Sequence, residues 1–254
     1  MILVRNFAYP SAAGPEKRKL YIYLPLTYEY EPDEYYPVLY MFDGHNVFYD
    51  NDSTYGKSWG LGKYLDYNRT PLIVAALECN HGDHNERLSE YSPYSFSEEG
   101  IGKVSGKGIE TMEILIHRLK PYMDKRFRTL KDRDHTFIAG SSMGGLMSLY
   151  AVLKYHHYFS KAAALSPSIF LVYGKICRLA ENCSVEENTT IYMDLGSEEV
   201  TNEGGSIEGF AKFGSLLMKK GISLTQRIVP LGDHSEASWE KQLPFMIETL
   251  LYDL

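Results

Sequence analysis

Apolar residues fall along the chain in two alternating rhythms. Short runs bounded by turn residues lie at 19–24 (KLYIYL, stopped by Pro25), 37–42 (PVLYMF), 71–77, 135–139, 161–165, 189–195 and 223–231. Runs of this length, rich in β-branched and aromatic residues, predict strands, and the nearly continuous ones predict strands covered on both faces. Between them lie segments whose apolar positions suit a helix: 59–67, 108–127, 146–153, 171–180, 209–220 and 236–251. In 108–127, Ile109, Met112, Ile116, Leu119 and Met123 share one face, and Pro121 predicts a kink or the last turns. Strands alternating with helices predict an α/β chain whose central sheet is mostly parallel, with helices on both faces. Residues 27–37, rich in Tyr, Glu and Pro, and the long polar stretch 78–107 are predicted loops, the second long enough to be functional. No repeat and no linker interrupts the pattern, so residues 1–254 are expected to form one domain.

Composition narrows the partners. A formal net charge of −7 with no long basic run argues against nucleic acid or an anionic membrane. The cluster Lys17-Arg18-Lys19 reads as the solvated entrance to a strand. Three cysteines (Cys79, Cys177, Cys183) form no CxxC pair, which suits a reducing compartment. The start of the chain has no leader pattern and no run is long enough to span a membrane, so a cytoplasmic location is expected. Oligomeric state is not encoded in any of these features.

The candidate chemistry centres on Gly140-Ser141-Ser142-Met143-Gly144, a G-x-S-x-G placed between a predicted strand and the predicted helix 146–153. A strand that turns into a helix within two residues strains the residue at the corner. Glycines two before and two after it remove side chains that would collide there. The Ser142 hydroxyl is then presented above the sheet edge at a helix N-terminus, which favours developing negative charge.

A serine needs a base to take its proton. Proteins with this elbow order their residues serine, acid, histidine along the chain. His234, in the turn after the strand 223–231, fits that order. His156 and His157 also follow the serine, but at the far end of the helix leaving the elbow, where a surface role is expected. The acid should follow the strand 189–195, and Asp194, Glu198 and Glu199 all qualify by spacing. Two backbone amides should hold an oxyanion, that of Met143 and that of His45 in the turn Asp43-Gly44-His45, each worth about 3 kcal/mol. His81-Gly82-Asp83-His84 is a weak metal motif, two histidines lacking further ligands. Cys79 has no evident base of its own. Tyrosines between 28 and 67 and aromatics at 91–96 lie in or beside loops expected above Ser142, where they either stack on a substrate ring or plug the surface.

The segments YPVLYMFDGHNVF, RLSEYSP (Arg87 to Pro93), FRTLKDRDHTFIAGSSMGGLMSLYA, MDLGSEE and GDHSEASWEKQLP together resemble the esterase family of α/β-hydrolases. That family includes esterase D, enterochelin esterases, feruloyl and acetyl-xylan esterases and the mycolyltransferases. The elbow and the pattern from His234 to Trp239 are its most specific marks. The resemblance implies an α/β-hydrolase fold and a serine esterase that uses Ser142, His234 and an acid three residues after Gly196. That position is Glu199, where Asp is commoner. It also implies a small-molecule ester as substrate, with no cofactor and no metal; Arg87, Glu90 and Tyr91 are expected either to pin the long loop, the favoured role, or to border the substrate cleft. Transfer of the acyl group to a sugar or alcohol, or a non-catalytic binding role on the same scaffold, would fit the same pattern.

Overall fold

A computed structural model describes residues 1–11, 14–82, 86–200 and 207–253 of the chain. Ten strands occur among them: β1 Ile2–Ser11, β2 Gly14–Tyr23, β3 Val38–Met41, β4 Ile73–Leu77, β5 Phe96–Glu98, β6 Gly102–Val104, β7 Thr136–Ser141, β8 Lys161–Leu165, β9 Thr190–Gly196 and β10 Ser223–Val229. The helices are α1 Leu61–Tyr67, α2 Glu86–Glu90, α3 Gly108–Ile114, α4 Lys120–Arg126, α5 Met143–Lys154, α6 Tyr173–Asn182, α7 Ile207–Lys219, α8 Glu236–Glu240 and α9 Leu243–Leu251.

Eight strands form one sheet in the order β1-β2-β4-β3-β7-β8-β9-β10. The pairings β1–β2 and β2–β4 are antiparallel, and every pairing from β4 across to β10 is parallel. This is the mostly parallel sheet that the alternation predicts, and the α/β-hydrolase fold that the resemblance implies. Parallel neighbours need long crossovers, and the crossover helices bury both faces of the sheet. One apolar cluster joins α3, α5, α6 and α7 to residues such as Tyr40, Ile138, Ala164 and Met193. A second joins α1, α9, Trp59 and Trp239 to Leu39, Phe137, Ala163 and Tyr192 on the other face. Adjacent strand residues thus divide between the two cores, which is why the strand runs read as continuously apolar.

Several expectations are revised. Residues 2–11 form a full strand that the sequence pattern concealed, because an edge strand buries little. Among the residues of it whose burial is described, Phe7 and Tyr9 are the core residues, and Pro10 is tolerated at an edge. The predicted strand 19–24 begins earlier, at Gly14. Within it Arg18 is not a solvated cation: it is 5% exposed and pairs with Glu90 at 2.5 Å and Glu16 at 2.8 Å, its guanidinium over the Tyr9 ring. Lys17 and Lys19 are the exposed members of that cluster. The stretch 78–107 is not structureless, since it carries α2 and the β5–β6 hairpin. In the helix predicted at 108–127, a π turn over Leu115–Leu119 separates α3 from α4. Pro121, which has no N–H to give, follows immediately. The predicted closing helix is broken into α8 and α9, with Pro244 in the first turn of α9. None of the described helices is long and apolar enough to cross a membrane.

One buried carboxyl closes the carboxyl ends of two neighbouring strands. Asp194, in β9, is 1% exposed; its Oδ2 accepts from the Tyr192 hydroxyl at 2.7 Å and its Oδ1 from the Ser166 amide at 3.2 Å. Burial pushes its pKa up to about 7, more than the hydrogen bonds from Tyr192 and Ser166 lower it. A carboxyl whose folded value lies above its ordinary 3.8 holds a proton in the folded state that the unfolded chain has released. Its contribution to stability is therefore fully present below about pH 4 and is lost as the pH rises towards 7. Thermal unfolding of wild type and Asp194→Asn across this range tests the point. The Asn variant should gain on wild type as pH rises, and a difference independent of pH would contradict the shift.

Candidate active site

The elbow is built as its sequence requires. Ser142 sits at φ 57° and ψ −120°, outside the regions ordinary residues prefer, between the end of β7 and the start of α5. Its amide donates to the carbonyl of Leu165 in β8 at 2.9 Å, and its carbonyl receives the amides of Leu146 and Ser168. These bonds hold the strained corner from three directions. A side chain on Gly140 would bring its Cβ within 2.7 Å of the Gly144 backbone, and one on Gly144 would meet Phe42 at 3.0 Å. Helix α5 behind the corner is buried from Met143 through Leu153, as an almost wholly apolar run demands, and its one serine, Ser148, donates to the Gly144 carbonyl. The Ser142 hydroxyl lies 3.3 Å from the hydroxyl of Ser168. Among the described residues no hydrogen bond joins it to the imidazole of His234.

His234 and Glu199 are brought together. Nδ1 of His234 is 2.6 Å from Oε2 of Glu199. Oε1 of the same carboxylate accepts from the Ser166 hydroxyl at 2.6 Å and the Gly196 amide at 2.8 Å. Ser166 in turn accepts from the indole N–H of Trp239 at 2.9 Å, and the Trp239 ring meets the His234 ring edge-on at 5.1 Å. Burial works against the charge on Glu199, but the hydrogen bonds from His234, Ser166 and Gly196 outweigh it and hold the carboxyl below its ordinary value. The loops carrying the two residues are tied directly, with the Glu198 amide on the carbonyl of Gly232 and the Leu231 amide on the Ser197 hydroxyl. Of the three acids that spacing allowed, Glu199 is the one that touches the imidazole. Asp194 is committed to Tyr192 and Ser166, and Glu198 points to solvent.

The turn after β3 faces the elbow. Asp43 adopts a left-handed conformation (φ 54°) that aims the chain into Gly44 and His45. Its carboxylate takes a two-pronged ion pair from Arg87 at 2.6 and 2.7 Å, and its amide donates to the Tyr91 hydroxyl. Burial alone would raise the Asp43 pKa, and the Arg87 guanidinium more than reverses it. Of the two roles expected for Arg87, Glu90 and Tyr91, their contacts are those of the structural one. Arg87 and Tyr91 fix the turn, while Glu90 binds Arg18 and the Asn80 amide. Asn46 reaches Glu236 on α8 at 3.1 Å, linking the same turn to the helix that follows His234. Neither the Met143 nor the His45 amide donates outside its own helical turn among the described residues, which leaves both available.

Other sequence candidates fall elsewhere. His156 and His157 face Glu186, away from the elbow. Cys79 is buried and its thiol pushed well up by that burial, the opposite of an activated nucleophile. Of the motif His81-Gly82-Asp83-His84, Asp83 and His84 lie outside the described residues, while His81 sits beside His45 and Cys79, with ligand atoms within 4.8 Å of one another. His156, His157 and Glu186 form a second such group. The aromatic residues divide: Tyr36, Tyr40, Tyr91 and Phe96 are core, whereas Tyr30, Tyr55 and Tyr67 are largely exposed. Sequence reasoning passed over Ser166 and Ser168. Their signal was positional, since Ser166-Pro167-Ser168 leaves the carboxyl end of the strand next to the elbow.

The chain is similar to known proteins along most of its length. The uncharacterized protein YbbA of Bacillus subtilis (strain 168) is 24% identical over 186 residues, covering 72% of this chain and 69% of its own. Among solved structures, an IroE-like serine hydrolase from Shewanella oneidensis superposes with a TM-score of 0.74 at 18% identity, over 96% of this chain and 79% of its own. A ferulic acid esterase superposes with a TM-score of 0.69 at 17% identity, over 97% of both chains. The model of the family described as Putative esterase matches residues 11–250, nearly the whole chain, and to that family the chain belongs.

Proposed function

We propose that the protein is a serine carboxylic-ester hydrolase acting through an acyl-enzyme on a small-acyl, sugar or phenolic ester. The observation that carries this reading is the 2.6 Å contact between His234 and Glu199, on the same sheet edge as the strained corner at Ser142. Family membership supports the class of reaction, and the phenolic substrate named for the ferulic acid esterase supports the substrate range.

In the proposed reaction Ser142 Oγ attacks the ester carbonyl carbon while Nε2 of His234 takes its proton. Glu199, kept ionised by its donors, fixes the proton on Nδ1 and offsets the charge on the ring. The carbonyl oxygen becomes negative and is received by the amides of Met143 and His45, with the N-terminus of α5 adding to the field. The tetrahedral adduct collapses, the C–O bond to the alcohol breaks, and the imidazolium returns its proton to the departing oxygen. Water then repeats the sequence on the acyl-serine and releases the acid. None of these steps draws on a metal or cofactor. In the resting site Ser142 is paired with Ser168, and the proposed reaction requires it to exchange that partner for the imidazole; catalytic bonds of this kind are often long before substrate binds. Three free thiols support a reducing, cytoplasmic setting for the reaction.

Ser142→Ala should abolish labelling by a fluorophosphonate and lower turnover by about 10⁵- to 10⁶-fold, read by intact-mass spectrometry and by hydrolysis of an aryl ester. Labelling that survives the substitution would place the nucleophile elsewhere. Glu199→Gln should lower turnover by about 10⁴-fold while Glu198→Gln leaves it near wild type. If the two exchange places in a kinetic assay, the acid has been misassigned.

A further inference from the structure

Behind the turn that carries the His45 amide lies a cluster the proposed hydrolysis does not use. The His45 side chain is 4% exposed; its Nε2 meets the Thr54 hydroxyl at 3.0 Å, but its Nδ1 is buried with no hydrogen-bond partner. An uncompensated buried ring nitrogen is costly, and such a group calls for a specific explanation. Two further ligand types are present beside it. The Cys79 sulfur and a ring nitrogen of His81 complete a group whose ligand atoms all lie within 4.8 Å of one another. The two imidazoles meet edge-on, with ring centres 4.6 Å apart.

The geometry points to a three-ligand metal site formed by His45, Cys79 and His81, suited to a borderline-soft divalent cation of the zinc class. Two imidazoles and one thiolate form a donor set that zinc accepts, with the fourth tetrahedral position left to water. The outer contacts are also those of a metal site. Nε2 of His45 is held by Thr54 and Nε2 of His81 by the Glu78 carboxylate at 3.1 Å, which leaves Nδ1 of each ring for the metal. Zinc bonds of about 2.0 Å to nitrogen and 2.3 Å to sulfur ask the three atoms to close in somewhat, and the half-exposed His81 ring can make that adjustment. His81 is also the way in, since His45 and Cys79 are buried. Asp43 and Glu78 add negative charge around the cluster, partly opposed by Arg87. On binding, the Cys79 S–H bond breaks, the sulfur gives its electron pair to the metal, and the proton passes to the buffer. One proton released per metal makes the affinity rise about tenfold per pH unit.

The group of His156, His157 and Glu186 is the natural control, because it offers no sulfur and its His157 and Glu186 are well exposed. Chelator-treated full-length protein is titrated with Co²⁺ and followed by absorption spectroscopy, and Zn²⁺ is then used to displace it. The expected result is one Co²⁺ per chain, a thiolate-to-cobalt charge-transfer band, and affinity lowered by about tenfold or more in His81→Ala, with wild-type affinity in His157→Ala. Cys79→Ala should remove the charge-transfer band; should that buried substitution fail to fold, His81→Ala alone decides the matter. Unchanged affinity in His81→Ala, a spectrum without the thiolate band, or loss of binding in His157→Ala would overturn the assignment. Ester hydrolysis is not the readout, so either result is independent of the proposed reaction.

Discussion

The structure depends on keeping one residue in a conformation it would not choose. Ser142 at φ 57° is strained by an amount of order 1–3 kcal/mol and persists only because its surroundings over-determine it. Its amide is claimed by β8, its carbonyl by α5 and by Ser168, and its flanking glycines admit the backbone of α5 and the side chain of Phe42. Those neighbours come from three places, the turn after β3, helix α5, and the end of β8 with the residues that follow it. The corner is therefore a property of the assembled layers and not of the local pentapeptide.

Around that corner, buried charge is handled by pairing. Asp43 with Arg87 and Arg18 with Glu90 and Glu16 satisfy their groups within the protein. Breaking one partner of such a pair is far more damaging than the net worth of the pair suggests, because the other charge is stranded. Glu199 is treated differently. Three donors converge on it, one of them a ring that faces the open edge, so its charge is both stabilised and available. Asp194, five residues earlier, has one hydroxyl and one amide and deeper burial, and it moves the opposite way. Two carboxyls on one strand and its following turn are thus set apart by their donors and their burial.

Much of this was legible in the sequence, for physical reasons. Parallel strands covered on both faces are nearly continuous in apolar residues, so β3, β4, β7 and β8 announced themselves, and the elbow between β7 and α5 carried its own glycine signature. The order of Ser142 and His234 along the chain follows from which strand ends lie side by side. What escaped detection was set by tertiary contact. β1 gains its place from ten paired residues with β2 and buries only two large side chains, so its amphipathic signal was faint. Arg18 looked like a surface cation because nothing local revealed Glu90, seventy-two residues away. Spacing left Asp194, Glu198 and Glu199 equivalent; only the fold of the turn after β9 separates them. Ser168 had no motif to mark it at all.

The sheet order has a consequence for how the molecule comes into being. Antiparallel β1 and β2 are neighbours in sequence and can pair early, whereas β3 must wait for β4 on one side and for β7, almost a hundred residues later, on the other. Loops of that length make non-local pairing slow. The stretches bearing Ser142, Glu199 and His234 follow β7, β9 and β10, so these side chains can meet only after the chain has been made through β10 and the turn behind it.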